Sequence, residues 1–128
     1  MISVTVVPAE DRMSPSHEHQ TRRTVEYEVR SLLQKLGYEV ARVGGRDGAV
    51  PGLFHLIAWE RTKGTLFIRI GSPRMSKSMI RSEILLLSTN LQTVWYPGEV
   101  QFWVGEGCCW KRYRILPGGA IPIPELRA

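Results

Sequence analysis

Leu53-Phe54-His55-Leu56-Ile57-Ala58-Trp59, Glu60-Arg61-Thr62-Lys63-Gly64 and Thr65-Leu66-Phe67-Ile68-Arg69-Ile70 follow one another without a break, and the fold turns on how they are read. Residues 53–59 are almost wholly apolar, which predicts a strand covered on both faces. The polar stretch 60–64 ends in glycine and predicts a hairpin turn, so residues 65–70 return as the next strand. Upstream, Gly44–Gly52 holds four glycines and Pro51 and is read as a loop. Before it, Tyr38–Val43 alternates, with Tyr38, Val40 and Arg42 on one face of a strand. Thr24–Leu36 carries apolar residues at Val25, Val29, Leu32, Leu33 and Leu36, the spacing of one helical face. Thr21 or Thr24 can cap its start and Gly37 its end.

Downstream, Ser72-Pro73 interrupts the chain, and Ile80, Ile84 and Leu87 predict a second helix over Lys77–Ser88. Strands are expected at Thr93–Tyr96, Val100–Val104 and Trp110–Ile115. Residues 1–20 read as an N-terminal arm in which Met1–Val7 has strand character. Pro117–Ala128 reads as a Pro/Gly-rich tail that caps the fold or hangs free. The domain proper is therefore residues 21–116. Its order of helix, three strands, helix and strands predicts an α/β fold, a mixed sheet flanked by helices on both faces.

A chain of 128 residues, 43% apolar and 23% charged, suits one domain with its own core. No apolar run approaches the length of a membrane-spanning helix, and the N-terminus lacks the pattern of a signal peptide. The two cysteines, Cys108 and Cys109, are adjacent and cannot build a disulfide framework. The expectation is a soluble, cytoplasmic protein without a membrane partner.

The net charge is +5, unevenly spread. Arg61, Lys63, Arg69, Arg74, Lys77 and Arg81 share the stretch up to Asn90 with a single acid, Glu83. Lys111, Arg112 and Arg114 form a second cluster. Thirteen of the seventeen basic residues are arginine, the side chain suited to bidentate phosphate contacts. Ser72–Arg81 adds hydroxyls to cations at a helix start, a favourable place for an anion. His17-Glu18-His19 is too small a set for a zinc site and reads as a solvated arm. Trp59, Trp95, Trp103 and Trp110 could stack on bases, but tryptophans in predicted strands serve the core more often.

The order of elements, and several consecutive pieces of sequence, resemble the PD-(D/E)XK nuclease superfamily, with its restriction-endonuclease-like core. Within it, residues 24–116 look most like archaeal Holliday-junction-resolvase-type proteins. The pieces are Tyr27-Glu28 in a helix ending Leu36-Gly37-Tyr38, and the glycine-rich Val43-Gly44-Gly45-Arg46-Asp47-Gly48. Val50–Ala58 then resembles the family's loop into a Pro-Asp-hydrophobic-hydrophobic-Ala strand. Thr65–Gly71 resembles the strand that carries Glu-x-Lys, and the stretches at Trp95–Pro97, Phe102–Val104 and Trp110–Tyr113 resemble later strands.

The family's chemistry uses two carboxylates to hold a divalent cation and a lysine beside them to orient or activate water. Acid and lysine sit two apart because strand side chains alternate. Here His55 stands at the first acid's position, Arg69 at the second and Gly71 at the lysine's. Only Glu28 matches an acid that some members carry on the first helix. Glu60 and Lys63 are three apart and do not restore the signature. An arginine repels a dication, so Arg69 is expected either to hold phosphate or to pair with Glu28. The reading is a catalytically degenerate nuclease-like domain without a cofactor. It binds DNA or RNA through Arg69, Arg74, Lys77, Arg81, Lys111, Arg112 and Arg114, and the resemblance implies a homodimer. One alternative is a protein-binding or regulatory subunit. A second is a metal-dependent nuclease using Glu28, Asp47 and His55, with Mg²⁺ as its cofactor.

Overall fold

The computed structural model describes residues 22–43 and 52–127. The first helix, α1 (Arg22–Lys35), turns Val25, Val29 and Leu33 fully inward. It stops as the sequence predicts. Gly37 takes φ +98°, its N–H donates to Gln34 O at 3.0 Å, and Tyr38 N–H donates to Leu33 O at 3.0 Å. This paired closure satisfies two of the last carbonyls and needs a residue tolerant of positive φ. Strand β1 (Glu39–Arg42) then runs antiparallel to β2 (Leu56–Glu60), and β2 antiparallel to β3 (Gly64–Ile70). The β2–β3 turn is held by the Glu60 carboxylate, which accepts from Thr62 N–H, Thr62 Oγ1 and Lys63 N–H at 2.7–2.8 Å. Those donors hold its pKa below the usual carboxylate value.

From β3 the chain crosses through α2 (Lys77–Leu91) to β4 (Glu99–Glu106), which pairs parallel to β3. Strands β5 (Cys109–Leu116) and β6 (Gly119–Arg127) complete a six-stranded mixed sheet in the order β1-β2-β3-β4-β5-β6. Period-two alternation sorts the side chains. Leu56, Ala58, Leu66, Ile68, Ile70, Trp103 and Trp110 meet α1 in one core cluster. Val100, Phe102, Val104 and Ile115 meet Leu87, Ile80 and Ile84 of α2 in the other. The α/β class and the mixed sheet between helices are as expected.

Three local expectations are corrected. The C-terminal segment is no tail: residues 119–127 form the edge strand β6. Pro122 and Pro124 are admitted because an edge strand bonds a neighbour on one side only. No strand forms over Thr93–Tyr96. The N–H groups of Thr93 and Val94 turn back to Asn90 O, and Tyr96 donates its hydroxyl to Asn90 Oδ1 at 2.7 Å, so the segment continues the end of α2. Residues 53–59 are not buried on both faces. Helix α2 packs over β5 and β6, leaving Ile57 half-covered and Trp59 exposed on the face opposite α1.

The parallel pair begins beside Gly98, where a Cβ would stand 2.5 Å from the Thr65 carbonyl oxygen and 3.0 Å from Thr65 Cβ. Backbone cannot yield as a side-chain tip can. Gly98→Ala is therefore expected to cost about 1–3 kcal/mol, the usual range for overpacking. An unchanged urea midpoint would show that the β3–β4 start is looser than described.

Candidate functional site

The residues singled out by sequence fall into three places. The first is the C-terminal end of β3. Arg69 leaves the sheet on the α2 face, where its Nε donates to Glu83 Oε1 at 2.5 Å. Its Nη1 donates to the carbonyls of Gly52 and Leu53, each at 3.0 Å. The guanidinium thus clamps helix, loop and strand together. His55 accepts the Ile70 N–H on Nδ1 at 2.9 Å while its backbone N–H reaches Ile68 O at 2.8 Å. An accepting Nδ1 places the ring proton on Nε2. At Gly71, a Cβ would meet Met75 Sδ at 2.6 Å and Phe102 Cζ at 3.1 Å, so the position is walled in.

The second place is the opposite face. Glu28 of α1 accepts a hydrogen bond from the Trp110 indole, and burial pushes its pKa above the ordinary glutamate value despite that bond. The expected Glu28–Arg69 pair does not form, because successive strand residues alternate and Arg69 points away from α1. The neighbouring Glu26 instead holds Arg42 Nε at 2.6 Å. Arg112 also belongs to this face. It lies over the Trp103 ring, 5.4 Å from its centroid, and donates to Pro124 O at 2.9 Å. Half burial lowers its pKa from the arginine value. Arg114 stands 3.8 Å from Glu99. Asp47 and the His17–His19 stretch lie outside the described residues.

The third place gathers what the sequence leaves in two clusters. Arg74, Met75, Lys77, Ile80, Arg81 and Ile84 form one wall of a groove of about 600 Å³. The β4–β5 hairpin forms the other, with Lys111 and Tyr113. Four cations line it beside one carboxylate, Glu106, which pairs with Lys111 at 3.4 Å. Glu83, the nearest acid along α2, is already held by Arg69. Ser76 caps α2 by accepting Met79 N–H at 3.2 Å. The charge around this helix start runs against its dipole. There is no acid in the first turn, Lys77 opens the helix, and no basic residue occupies the last turn. A helix N-terminus is stabilised by negative charge, which the first turn of α2 does not supply.

Sequence reasoning missed Tyr113 as a lining residue, although period two from Lys111 places it on the same face. It also missed Glu83 as the partner of Arg69, for which no sequence spacing gives a signal. Of the four tryptophans, Trp103 and Trp110 are buried, while Trp59 is partly exposed and Trp95 is 82% exposed. Among the described residues no three His, Cys, Asp or Glu side chains stand close enough to share a metal ion. No helix there is long and apolar enough to cross a membrane. No family model, no curated protein and no solved structure matches this chain.

Two stability outcomes follow from these contacts. Arg69→Met leaves the Glu83 carboxylate and two carbonyls without their donor and is expected to cost about 2–4 kcal/mol in urea unfolding. Arg69→Met with Glu83→Leu should recover part of that loss. A single-variant cost below about 0.5 kcal/mol would show the clamp to be dispensable. For Glu28 the folded pKa lies above the unfolded one, so its contribution to stability declines as pH rises above 4.5. Glu28→Gln keeps an acceptor for Trp110 without the charge. It should be at least as stable as the parent at pH 7, with the difference closing toward pH 4, as followed by thermal melts.

Proposed function

We propose that this chain is a nucleic-acid-binding domain with a restriction-endonuclease-like core that has lost metal-dependent cleavage. Its phosphate-binding surface is the groove between the start of α2 and the β4–β5 hairpin. One observation carries the reading: Arg74, Lys77, Arg81 and Lys111 converge from two elements on a helix N-terminus without an acid. A polyanion answers both features, through ion pairing and through the helix dipole. Of the seven predicted contact residues, these four form the surface. Arg69 is a structural clamp, and Arg112 and Arg114 lie on the other face of the sheet.

The loss of cleavage rests on chemistry at the positions that the resemblance assigns. Arg69 stands where the second acid belongs, and its Nε and Nη1 are bound to Glu83, Gly52 O and Leu53 O. A lysine at position 71 would displace Met75 and press on Phe102. Glu28 is committed to Trp110 across the sheet. A second reading, a protein-binding subunit or homodimer, draws on the exposure of Met79, Leu85 and Leu86 on α2.

The test is fluorescence anisotropy with labelled duplex, single-stranded and four-way-junction DNA, at two salt concentrations, with Mg²⁺, Mn²⁺ or EDTA. Binding should weaken with salt, and no cleavage should appear with either metal. Lys77→Glu with Arg81→Glu should weaken binding about tenfold or more and flatten the log–log salt dependence by about 2, one for each phosphate no longer neutralised. Salt-independent binding, or an unaffected double variant, would overturn the groove. Metal-dependent cleavage abolished by Glu28→Ala would overturn the loss of catalysis.

A further inference from the structure

The β4–β5 hairpin closes through Gly107 and Cys108, since Glu106 pairs with Cys109. Gly107 takes φ +66° and Cys108 does not share a positive φ, the pattern of a type II′ turn. Adjacent residues in a continuing strand point to opposite faces. Here the turn cancels that alternation, and the two Sγ atoms touch at 3.5 Å. Cys108 is exposed and Cys109 half-buried, so the pair opens to solvent at the tip of the hairpin. They are the only cysteines in the chain, so neither has another sulfur partner.

Two outcomes are open to such a pair: a direct S–S bond or a bridging atom. A disulfide needs sulfurs about 2.05 Å apart and Cα atoms at least about 4.4 Å apart. A trans peptide holds neighbouring Cα atoms about 3.8 Å apart, so direct closure is strained. A bridging centre has no such difficulty. Two bonds of about 2.3 Å, the length of a metal–thiolate bond, span the observed 3.5 Å gap at an angle of about 100°. That angle suits a pyramidal trivalent centre and excludes a linear one. A tetrahedral structural ion would require further ligands, and no third metal-binding side chain stands with the pair among the described residues.

We propose that Cys108 and Cys109 form a vicinal-dithiol site for a trivalent thiophilic metalloid, with an arsenoxide as its chemical type. The step balances without a redox partner. Two S–H bonds and the arsenic–oxygen bond break, two arsenic–sulfur bonds form, and the two protons leave with the oxide oxygen as one water. The sulfur contact with Cys108, and burial after it, raise the Cys109 thiol above its ordinary pKa, and the exchange consumes that thiol in its protonated form. The site is independent of the nucleic-acid reading, although Gly105, Glu106 and Gly107 join it to the groove wall.

The experiment treats the full chain with phenylarsine oxide and reads intact mass under native conditions. One adduct per chain is expected, of reagent mass less one water. It should survive excess glutathione, a monothiol, and be removed by 2,3-dimercaptopropanol, a dithiol. Cys108→Ser and Cys109→Ser should each lose the glutathione-resistant adduct. Both positions lie at a hairpin tip, and Cys→Ala versions with circular dichroism separate lost binding from lost folding. Absence of an adduct on the parent chain, or an adduct that glutathione strips as readily as from the single variants, would overturn the site.

Discussion

Strands β3 and β4 run in the same direction, and most of the architecture follows from that pairing. Antiparallel neighbours can be joined by a tight turn, but parallel neighbours need a connection that returns the full length of the sheet. Residues 71–98 make that return, and α2 occupies most of it. The end of β3 and the start of α2 are thereby forced to one end of the sheet. The clamp from Arg69 to Glu83 sits at this corner, and both partners are largely withdrawn from solvent. A pair so placed contributes less through net Coulomb energy than through the cost of leaving either partner alone. It therefore fixes where α2 lies, and with it one wall of the basic groove.

The two faces of the sheet consequently do different work. Under α1 the core is closed by Trp103, Trp110 and the aliphatic residues of β2 and β3. Its polar groups are tied off in pairs: Glu28 with Trp110, Glu26 with Arg42, and Trp103 Nε1 with Gln101 Oε1 at 2.9 Å. Under α2 the cover is narrower. The helix lies toward β5 and β6, and the aromatic trio Phe54, Phe67 and Tyr96 fills the gap beside it, with ring centroids 5.1–5.7 Å apart. Surface left uncovered on this side includes the groove.

What the sequence discloses and what it hides divide along physical lines. Helix α1 was legible because its apolar residues repeat at one period and Gly37 ends it by a mechanism local to a few residues. The β2–β3 hairpin was legible for the same reason. Strand β6 was not, since its prolines oppose a strand and only its edge position admits them. Thr93–Tyr96 has the β-branched and aromatic residues of a strand, yet hydrogen bonds back to the end of α2 take its place. In the candidate site, Arg74, Lys77 and Arg81 declare themselves as a cluster along the chain. That Lys111 joins them while Arg112 and Arg114 do not is decided by strand alternation on a hairpin whose facing helix only the tertiary fold supplies.

The charge pattern of α2 then has a quantitative reading. Each misplaced charge near a helix end costs roughly 0.3–1 kcal/mol at an exposed site, which is small against the stability of a domain. The fold can therefore carry Lys77 at the first turn and Arg74 just before it, and natural sequences depart from local rules most often where function requires it. On the function proposed above, an anion in the groove would pair with these cations and give the helix terminus the negative charge that its own sequence withholds. The clamp also keeps the neighbouring acid out of the groove. Glu83, two residues beyond Arg81, is drawn inward to Arg69 and does not neutralise the surface it would otherwise border.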